Sequence, residues 1–260
     1  MSDVLLERDG HVATITLNRP DRLNAISGAM IADMGRMLVE CDGDPGVRVV
    51  VVTGAGRGFC SGLDLQDVAA GNGIGSGAES GGGFRLDDTP PFVLRRMDTP
   101  VVCALNGPAA GYGMDLALGC DLVIASDTAS FTPPVRRGVI PESGGTWLLP
   151  RLVGWQKACE ITLLARKLDS TELQRLGLVN LVVPHDDFPA AVQAWVAELA
   201  AQPPLALAAA KRTMRLGLDT GFEANAHHVM AELLALFRSK DFSEAVTAFL
   251  EKREPVYQGR

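Results

Sequence analysis

The stretch Asn106–Ser126, NGPAAGYGMDLALGCDLVIAS, combines a glycine-rich turn, a helical pattern and a following strand pattern. It comes directly after Val101–Leu105, a run of apolar residues typical of a buried strand. A helix start after such a turn presents unpaired backbone N–H groups, which suits a negatively charged ligand. Tight helix packing explains the glycines equally well, because a glycine-rich helix start is a weak signal by itself.

Composition narrows the class of protein. The chain has 260 residues, of which 47% are hydrophobic and 21% charged, which is enough to bury a sizeable core. A formal net charge of -7 without a basic run makes nucleic acid an unexpected partner. The sequence shows neither a signal peptide nor a membrane span, and its five scattered cysteines fit reduced thiols. We therefore expect a cytoplasmic protein without a disulfide framework or a metal site.

Strand and helix patterns alternate in the first two thirds of the chain. Val4–Glu7 and Val12–Leu17 predict a hairpin around Asp9-Gly10, and Val47–Thr53 predicts a strand buried on both faces. After about residue 186 only helical patterns remain. We therefore predict an α/β core over residues 1–186 and a helical region over residues 187–260 that serves assembly.

Several connecting segments are predicted from local signals. Ser27 is expected to cap the first long helix, and the last helix is expected to begin with a capping box of Asp241 and Glu244. Residues 71–83 hold seven glycines in thirteen positions, which predicts a surface loop or a mobile flap beside a pocket. Residues 131–145 are predicted as a loop, and Leu176–Val183 as the last strand.

Known catalytic motifs are missing from the sequence. It has no nucleophile elbow, no zinc-binding helix motif and no phosphate-binding loop, and the glycines after Val47–Thr53 do not complete a dinucleotide fingerprint. Two exits from strands remain, FCSGLDL and NGPAAGYGMD, and each can present a backbone N–H. Two such donors that converge on one oxygen would form an oxyanion hole.

Five stretches together resemble the crotonase (enoyl-CoA hydratase/isomerase) superfamily. They are LNRPDRLNAIS, GFCSGLDL, NGPAAGYGMDLALGCDLVIAS, GVIPESGGTWLLPRLVG and SEAVTAFLEKREPVYQGR, in that order along nearly the whole chain. The resemblance implies an α/β core of repeated ββα turns arranged as a superhelix, followed by an all-helical trimerisation region. It also implies a coenzyme A thioester as substrate, no further cofactor, and a homotrimer or a dimer of trimers.

The resemblance assigns roles to individual positions. The donors of the oxyanion hole would be the backbone N–H groups of Leu63 and Tyr112. The residues that would contact the coenzyme are Arg22, Leu23, Ser61 and Asp64, together with Phe249 and Lys252, which would reach the coenzyme of a neighbouring subunit. For Lys252 a solvated helix face remains the alternative. Val135, Ile140, Tyr112 and the 71–83 segment would shape the acyl pocket.

Departures from the hydratase pattern bear on the reaction. Hydratases of this superfamily hold a water between two glutamates; here the first position is Asp115 and the second is Val135, which cannot move a proton. Glu142 matches the catalytic glutamate of some Δ3,Δ2-enoyl-CoA isomerases, and epoxyphenylacetyl-CoA isomerases resemble this stretch with an aspartate there. An isomerase with Glu142 as its acid/base and Asp115 as an auxiliary is therefore expected.

Other interpretations stay open at this point. Asp115 and Glu142 could flank a water as a shifted hydratase pair, or the chain could bind acyl-CoA without catalysis. Glu142 could also simply be favourable in the first turn of a helix that follows Pro141.

Overall fold

The computed structural model describes residues 2–70 and 85–260. Within these ranges the strands are β1 (Val4–Asp9), β2 (Val12–Leu17), β3 (Val49–Gly54), β4 (Val101–Leu105), β5 (Pro108–Ala110), β6 (Leu122–Ser126), β7 (Ser130–Thr132), β8 (Leu168–Asp169) and β9 (Leu181–Val183). The helices are α1 (Gly28–Gly43), α2 (Leu65–Ala69), α3 (Pro90–Arg96), α4 (Tyr112–Leu118), α5 (Gly145–Val153), α6 (Trp155–Leu164), α7 (Ser170–Arg175), α8 (Phe188–Ala200), α9 (Pro204–Gly217), α10 (Phe222–Leu236) and α11 (Lys240–Glu251). The predicted loop at 71–83 lies outside the described residues.

A six-stranded sheet forms the centre of the fold. Its strand order is β1-β2-β3-β4-β6-β9, with β1 and β2 antiparallel and every later pair parallel. The hairpin predicted around Asp9-Gly10 is confirmed. Because a parallel sheet is covered on both faces, β3 is buried along nearly its whole length, as its run of valines predicts.

Apolar side chains cover both faces of this sheet. The larger core packs α1, α3 and α4 against one face, and the methionines of α1 contribute to it as a buried stripe. Ser27 caps α1 by accepting a hydrogen bond from the N–H of Met30 at 3.2 Å, as predicted. On the second face, Phe188 and Val196 of α8 pack against side chains of β3, β4 and β6. The first of the late helices thus completes the packing of the sheet.

A second, three-stranded sheet of order β5-β7-β8 was not predicted. Two of the three residues of β7, Phe131 and Thr132, lie in the segment 131–145 that was expected to be loop, and β5 begins at Pro108. The prediction of a strand over Leu176–Val183 is also corrected, since only Leu181–Val183 pairs with β6. This small sheet matters for function, because β5 leads directly into α4.

The last helices and the C-terminal tail are tied together by side chains of α11. Ser239 is the N-cap of α11, so the predicted capping box of Asp241 and Glu244 is wrong. Asp241 instead accepts hydrogen bonds from the N–H groups of Gln258 and Gly259 at 2.7 and 2.9 Å. Glu244 accepts from Arg253 at 2.6 Å. The two acids therefore hold the tail rather than the helix start.

The described residues contain neither a membrane-spanning helix nor a metal-binding cluster. None of their helices is both long and apolar enough to cross a bilayer. No group of three or more His, Cys, Asp or Glu side chains is arranged there to hold a metal ion.

Candidate active site

Two segments meet beside the central sheet, one after β3 and one after β5. Cys60 forms a parallel bridge with Ala109, and its carbonyl accepts a hydrogen bond from the N–H of Ala110 at 2.9 Å. Two residues further on, Gly62 has φ +95° and Gly111 has φ +49°, conformations that L side chains rarely adopt. A Cβ added to Gly111 would lie 4.0 Å from the Cα of Gly62. The two glycine turns are thus in contact.

The predicted donors Leu63 and Tyr112 follow these two glycines. Leu63 and Ile26 form a parallel bridge. In it the N–H of Ile26 donates to the carbonyl of Gly62, and the N–H of Asp64 donates to the carbonyl of Ile26. The N–H of Leu63 itself therefore points away from Ile26. Tyr112 is the first residue of α4, where backbone N–H groups have no partner within the helix. Neither N–H donates to a described protein group. A Cβ on Gly62 would lie 3.8 Å from Tyr112 N, so the two donor segments are close together.

A cavity of about 520 Å³ opens beside this point. Apolar side chains make up much of its wall, among them Ile31 of α1, Phe92 of α3 and Leu148 of α5. Tyr112 lies on the wall as predicted, whereas Val135 and Ile140 are not among the lining residues. Ile140 is 66% exposed, so its expected role in shaping the pocket is not supported.

Glu142 lines the cavity from the turn before α5. The helix begins only at Gly145, so Glu142 is not in a first helical turn, and that alternative explanation of its presence is wrong. The side chain remains accessible to solvent. Partial burial still raises its pKa, although its own backbone N–H opposes the shift. A carboxylate with a raised pKa in a cleft is suited to take up and return a proton.

Asp115 lies behind the cavity wall. It is 0% exposed, does not line the cavity, and its Oδ2 accepts a hydrogen bond from the N–H of Ser143 at 2.9 Å. Burial raises the pKa of Asp115 to about 7; the backbone groups of Ser143 and Gly145 oppose this shift, and the charge of Glu142 adds to it. Asp115 thus holds the residue that follows Glu142.

Tyr112 contributes a buried phenol to the same place. Its side chain is 2% exposed, and its hydroxyl has no hydrogen-bond partner among the described residues. Burial raises its pKa well above the usual value, and the nearby Cys60, Glu142 and Asp115 raise it further. The phenol therefore stays protonated and is free to donate a hydrogen bond.

The pKa of Asp115 predicts how stability depends on pH. Asp115 titrates near 3.8 when exposed and near 7 when folded, so between these values only the folded state keeps the proton. The free energy of unfolding therefore falls as pH rises through this window, and the effect levels off above it. The asparagine of Asp115→Asn cannot titrate. Between about pH 4 and pH 8 the free energy of unfolding of this variant should therefore fall less than that of the wild type, by up to about 4 kcal/mol. Urea titrations of both proteins at the two pH values measure the difference.

Titrating groups that do not interact with Asp115 behave alike in both proteins and cancel in that comparison, whereas Glu142, whose charge acts on Asp115, contributes to the difference. Equal pH dependence of unfolding in the two proteins would contradict the raised pKa of Asp115.

The predicted coenzyme contacts near Leu23 form one network. Asp64 caps α2, and its Oδ2 accepts from Arg19 at 2.9 Å and from Arg22 at 3.0 Å. Burial would raise the pKa of Asp64, but hydrogen bonds from Arg22, the α2 backbone and Arg19 outweigh it and lower the pKa. Ser61 is exposed and donates to the carbonyl of Arg22 at 3.3 Å. The fold thus brings together Arg22, Leu23, Ser61 and Asp64. The Oδ2 atom of Asp64 is already bonded to Arg19 and Arg22.

Phe249 and Lys252 lie elsewhere, at the C-terminal end of α11. Phe249 is largely exposed, and Lys252 caps the helix in a left-handed conformation with φ +54°. Neither lines the cavity. Their predicted contact with the coenzyme of a neighbouring subunit stays a prediction.

Sequence reasoning missed three residues of the site. Arg19, which holds Asp64, occurs in a quoted motif but carries no signal that distinguishes it from Arg22. Arg95 and Trp147 line the cavity and stack on each other, with the Arg95 guanidinium 4.7 Å from the indole centre. They are far apart in the sequence, so no local pattern predicts their contact.

Comparisons with known proteins agree over the whole chain. A family model described as enoyl-CoA hydratase/isomerase matches residues 7–260. A probable enoyl-CoA hydratase of Rhodobacter capsulatus is 39% identical, covering 96% of this chain and 95% of its own. The 1,2-epoxyphenylacetyl-CoA isomerase of Escherichia coli is 36% identical and covers 100% of both chains. The solved enoyl-CoA hydratase of Mycobacterium tuberculosis H37Rv has a TM-score of 0.90 at 30% identity over 99% of each chain. The predicted α/β fold with C-terminal helices is confirmed.

Proposed function

The chain belongs to the enoyl-CoA hydratase/isomerase family, and from this premise we propose that it is an enoyl-CoA isomerase. Glu142 takes the proton from C2 of a 3-enoyl thioester, and the negative charge moves to the thioester oxygen. The N–H groups of Leu63 and Tyr112 stabilise this enolate. Glu142 then returns the proton to C4, which leaves the double bond between C2 and C3. The reaction needs no cofactor beyond the coenzyme A of the substrate.

One observation carries the proposal: Glu142 lines the cavity, whereas Asp115 does not. The Oδ2 atom of Asp115 is occupied by the N–H of Ser143. A hydratase needs two groups that act on a water molecule, but the shift of a double bond needs only one carboxylate. We therefore assign proton transfer to Glu142 and the positioning of its turn to Asp115.

A hydratase with Asp115 and Glu142 around a water is the second candidate. It is favoured by the Oδ1 atom of Asp115, which has no hydrogen-bond partner in the described part of the chain. It is also favoured by the charge of Glu142, which contributes to the raised pKa of Asp115. The two carboxyl groups are thus near enough to interact, as a shifted pair requires.

Two substrates separate the candidates. We expect purified protein to convert a 3-enoyl-CoA rapidly to the 2-enoyl isomer and to hydrate a 2-enoyl-CoA slowly or not at all. The opposite result would establish the hydratase. A protein that binds acyl-CoA but exchanges no C2 proton with deuterated water would be a non-catalytic member of the family, and both candidates would be wrong.

For the coenzyme, we propose that Arg22, Leu23, Ser61 and Asp64 form the nearest part of the binding surface. Arg22 is about half exposed and is oriented by Asp64, so its remaining N–H groups can donate to a phosphate. The electrostatic part of such a contact weakens with salt. Coenzyme A binding that does not change between wild type and Arg22→Met would contradict this assignment.

We also propose that the protein is a homotrimer or a dimer of trimers. Helix α10 has no buried residue, although Phe222, Met230 and Leu234 are large and apolar. A face of this kind is typical of a subunit contact. Light scattering is expected to give three or six times the monomer mass, and Leu234→Glu is expected to lower it. A monomer at micromolar concentration would contradict the assembly.

The five cysteines are all free, which suits a reducing compartment, so we propose a cytoplasmic location. Recovery of the protein in a membrane or secreted fraction would contradict that location.

A further inference from the structure

The cavity has a second polar end, which proton transfer does not use. It runs along α4, from Tyr112 near Glu142 to Gly119 after the helix. This length of helix is about 10 Å. Leu94 of α3 lies beside Gly119, 3.4 Å from where a Cβ on that glycine would be. The next residue, Arg95, and Asp219, between α9 and α10, line the cavity wall. They form an ion pair of 3.1 Å.

Arg95 has hydrogen-bonding capacity to spare. It bonds to Asp219 through one of its terminal nitrogens, and its other N–H groups have no partner among the described residues. Its side chain is 34% exposed, whereas that of Asp219 is 57% exposed. The indole of Trp147 supports the guanidinium from the cavity wall. A second carboxylate can therefore bind to Arg95 from the cavity side.

Around Arg95 the arginines outnumber the carboxylates that pair with them. Four arginines gather here: Arg95, Arg151, Arg212 and Arg215. The carboxylates that pair with them are Asp98, Asp219 and Glu232. Arg151 stacks on Trp147 at 3.8 Å and has no carboxylate within ion-pair distance among the described residues. Burial and the charges of Arg215 and Arg151 lower the pKa of Arg95, against the effect of Asp219.

We propose that this end of the cavity binds a terminal carboxylate of the acyl chain, with Arg95 as its main partner. The preferred substrates are then ω-carboxyacyl thioesters of coenzyme A. This inference rests on the proposed acyl-CoA function and adds the class of acyl group. A neutral chain of the same length would press an apolar end against the guanidinium and displace its water without replacing the hydrogen bonds.

The excess of arginines also distinguishes a carboxylate from a cationic group. A cationic chain end could bind Asp219, but it would also face the guanidinium of Arg95 on the same wall, and Arg151, which has no paired carboxylate among the described residues, stacks on the same indole. The positive charges of Arg95 and Arg151 repel a cation and attract an anion at this place. The observations therefore favour the anion.

The test compares trans-3-octenedioyl-CoA with its terminal amide, which has nearly the same shape but no charge. We expect kcat/KM of the wild type to be about 10- to 100-fold higher for the carboxylate. Arg95→Met should remove this preference, mainly by lowering kcat/KM with the carboxylate. Arg151→Met is the matched control: it takes a guanidinium from the same indole but not from the cavity wall, so the preference should largely remain.

Asp219→Asn removes the competing carboxylate and should increase the preference. Equal rates with the two substrates, or a preference that survives Arg95→Met, would overturn the inference. Calorimetry with saturated octanedioyl-CoA and its terminal amide measures the same preference without turnover. A carboxylate preference in binding without isomerisation would therefore disprove the isomerase and leave the carboxylate site intact. Turnover of both 3-enoyl substrates without a preference would disprove the carboxylate site and leave the isomerase intact.

Discussion

Glu142→Gln is expected to lower the kcat of isomerisation by about a thousandfold. Glutamine has nearly the size of glutamate, so the cavity keeps its shape, but its amide cannot accept the proton from C2. The side chain lies on the cavity wall and makes no hydrogen bond to another described side chain, so its loss should leave the fold intact. The rate is measured from the absorbance of the conjugated 2-enoyl product.

The pH profile gives the same prediction a second readout. Glu142 must be ionised to accept the proton, and partial burial raises its pKa above the ordinary value. The wild-type kcat/KM should therefore fall on the acid side, with a midpoint above that of an exposed glutamate. The residual rate of Glu142→Gln should lack this acid limb.

The affinity of Glu142→Gln for coenzyme A shows whether the substitution affects proton transfer alone or substrate binding as well. Because the coenzyme contacts are proposed around Arg22 and Ser61, calorimetry should give the same affinity for coenzyme A in wild type and Glu142→Gln. Glu198→Gln on the exposed side of α8 is the control for the substitution itself. A fully active Glu142→Gln would assign proton transfer to Asp115, and the double variant with Asp115→Asn would then lose activity.

Local signals predicted the elements that depend on near neighbours in the sequence. Asp9-Gly10 predicted a hairpin, and Ser27 predicted a helix start, because a turn or a cap is decided within a few residues. Short strands such as Ser130–Thr132 escaped prediction, since three residues carry too little periodicity and their partner lies elsewhere in the chain. Pro108 in β5 also argues against a strand, because proline has no N–H to donate to a neighbouring strand. The edge position of β5 in its sheet tolerates this loss.

The site shows the same division between local and distant contacts. The glycine turns that carry Leu63 and Tyr112 could be predicted, because glycine is needed where φ is positive. The hydrogen bond from Ser143 to Asp115 spans 28 positions, and nothing in either stretch alone predicts it. That one contact is the reason why we propose that Asp115 positions the turn of Glu142, whereas the sequence predicted an auxiliary catalytic group. The charge cluster around Arg95 likewise joins α3, α5 and α9 only in the folded chain.

Gly113→Ala is expected to damage both the fold and the site. A Cβ at this position would lie 2.3 Å from the carbonyl oxygen of Cys60 and 2.6 Å from its Cβ. That carbonyl is fixed by the N–H of Ala110, so it cannot turn away without breaking the bridge between the two segments. Helix α4 would have to move back from Cys60, and the N–H of Tyr112 would move with it.

Two measurements follow from this displacement. Overpacking should lower the free energy of unfolding by about 1–3 kcal/mol. Moving one donor of the proposed oxyanion hole should lower kcat by about 10²–10³-fold. Gly28→Ala is the control, because a Cβ there has no neighbour within 4 Å and the residue also begins a helix. We expect that variant to be as active and at least as stable as the wild type.

A second variant keeps the argument testable if Gly113→Ala does not fold. Gly62→Ala disturbs the same junction from the other segment, because its Cβ would lie 2.9 Å from the carbonyl oxygen of Ala110 and its φ is +95°. It should displace the N–H of Leu63 instead of that of Tyr112. If the two N–H groups act on one oxygen, both variants should lose kcat. Gly113→Ala should still bind coenzyme A, whereas Gly62 adjoins Ser61 of the proposed coenzyme surface, so its variant is judged by kcat alone. If either glycine variant folds and keeps the wild-type kcat, the two N–H groups are not needed to stabilise the enolate. The proposed oxyanion hole would then be wrong.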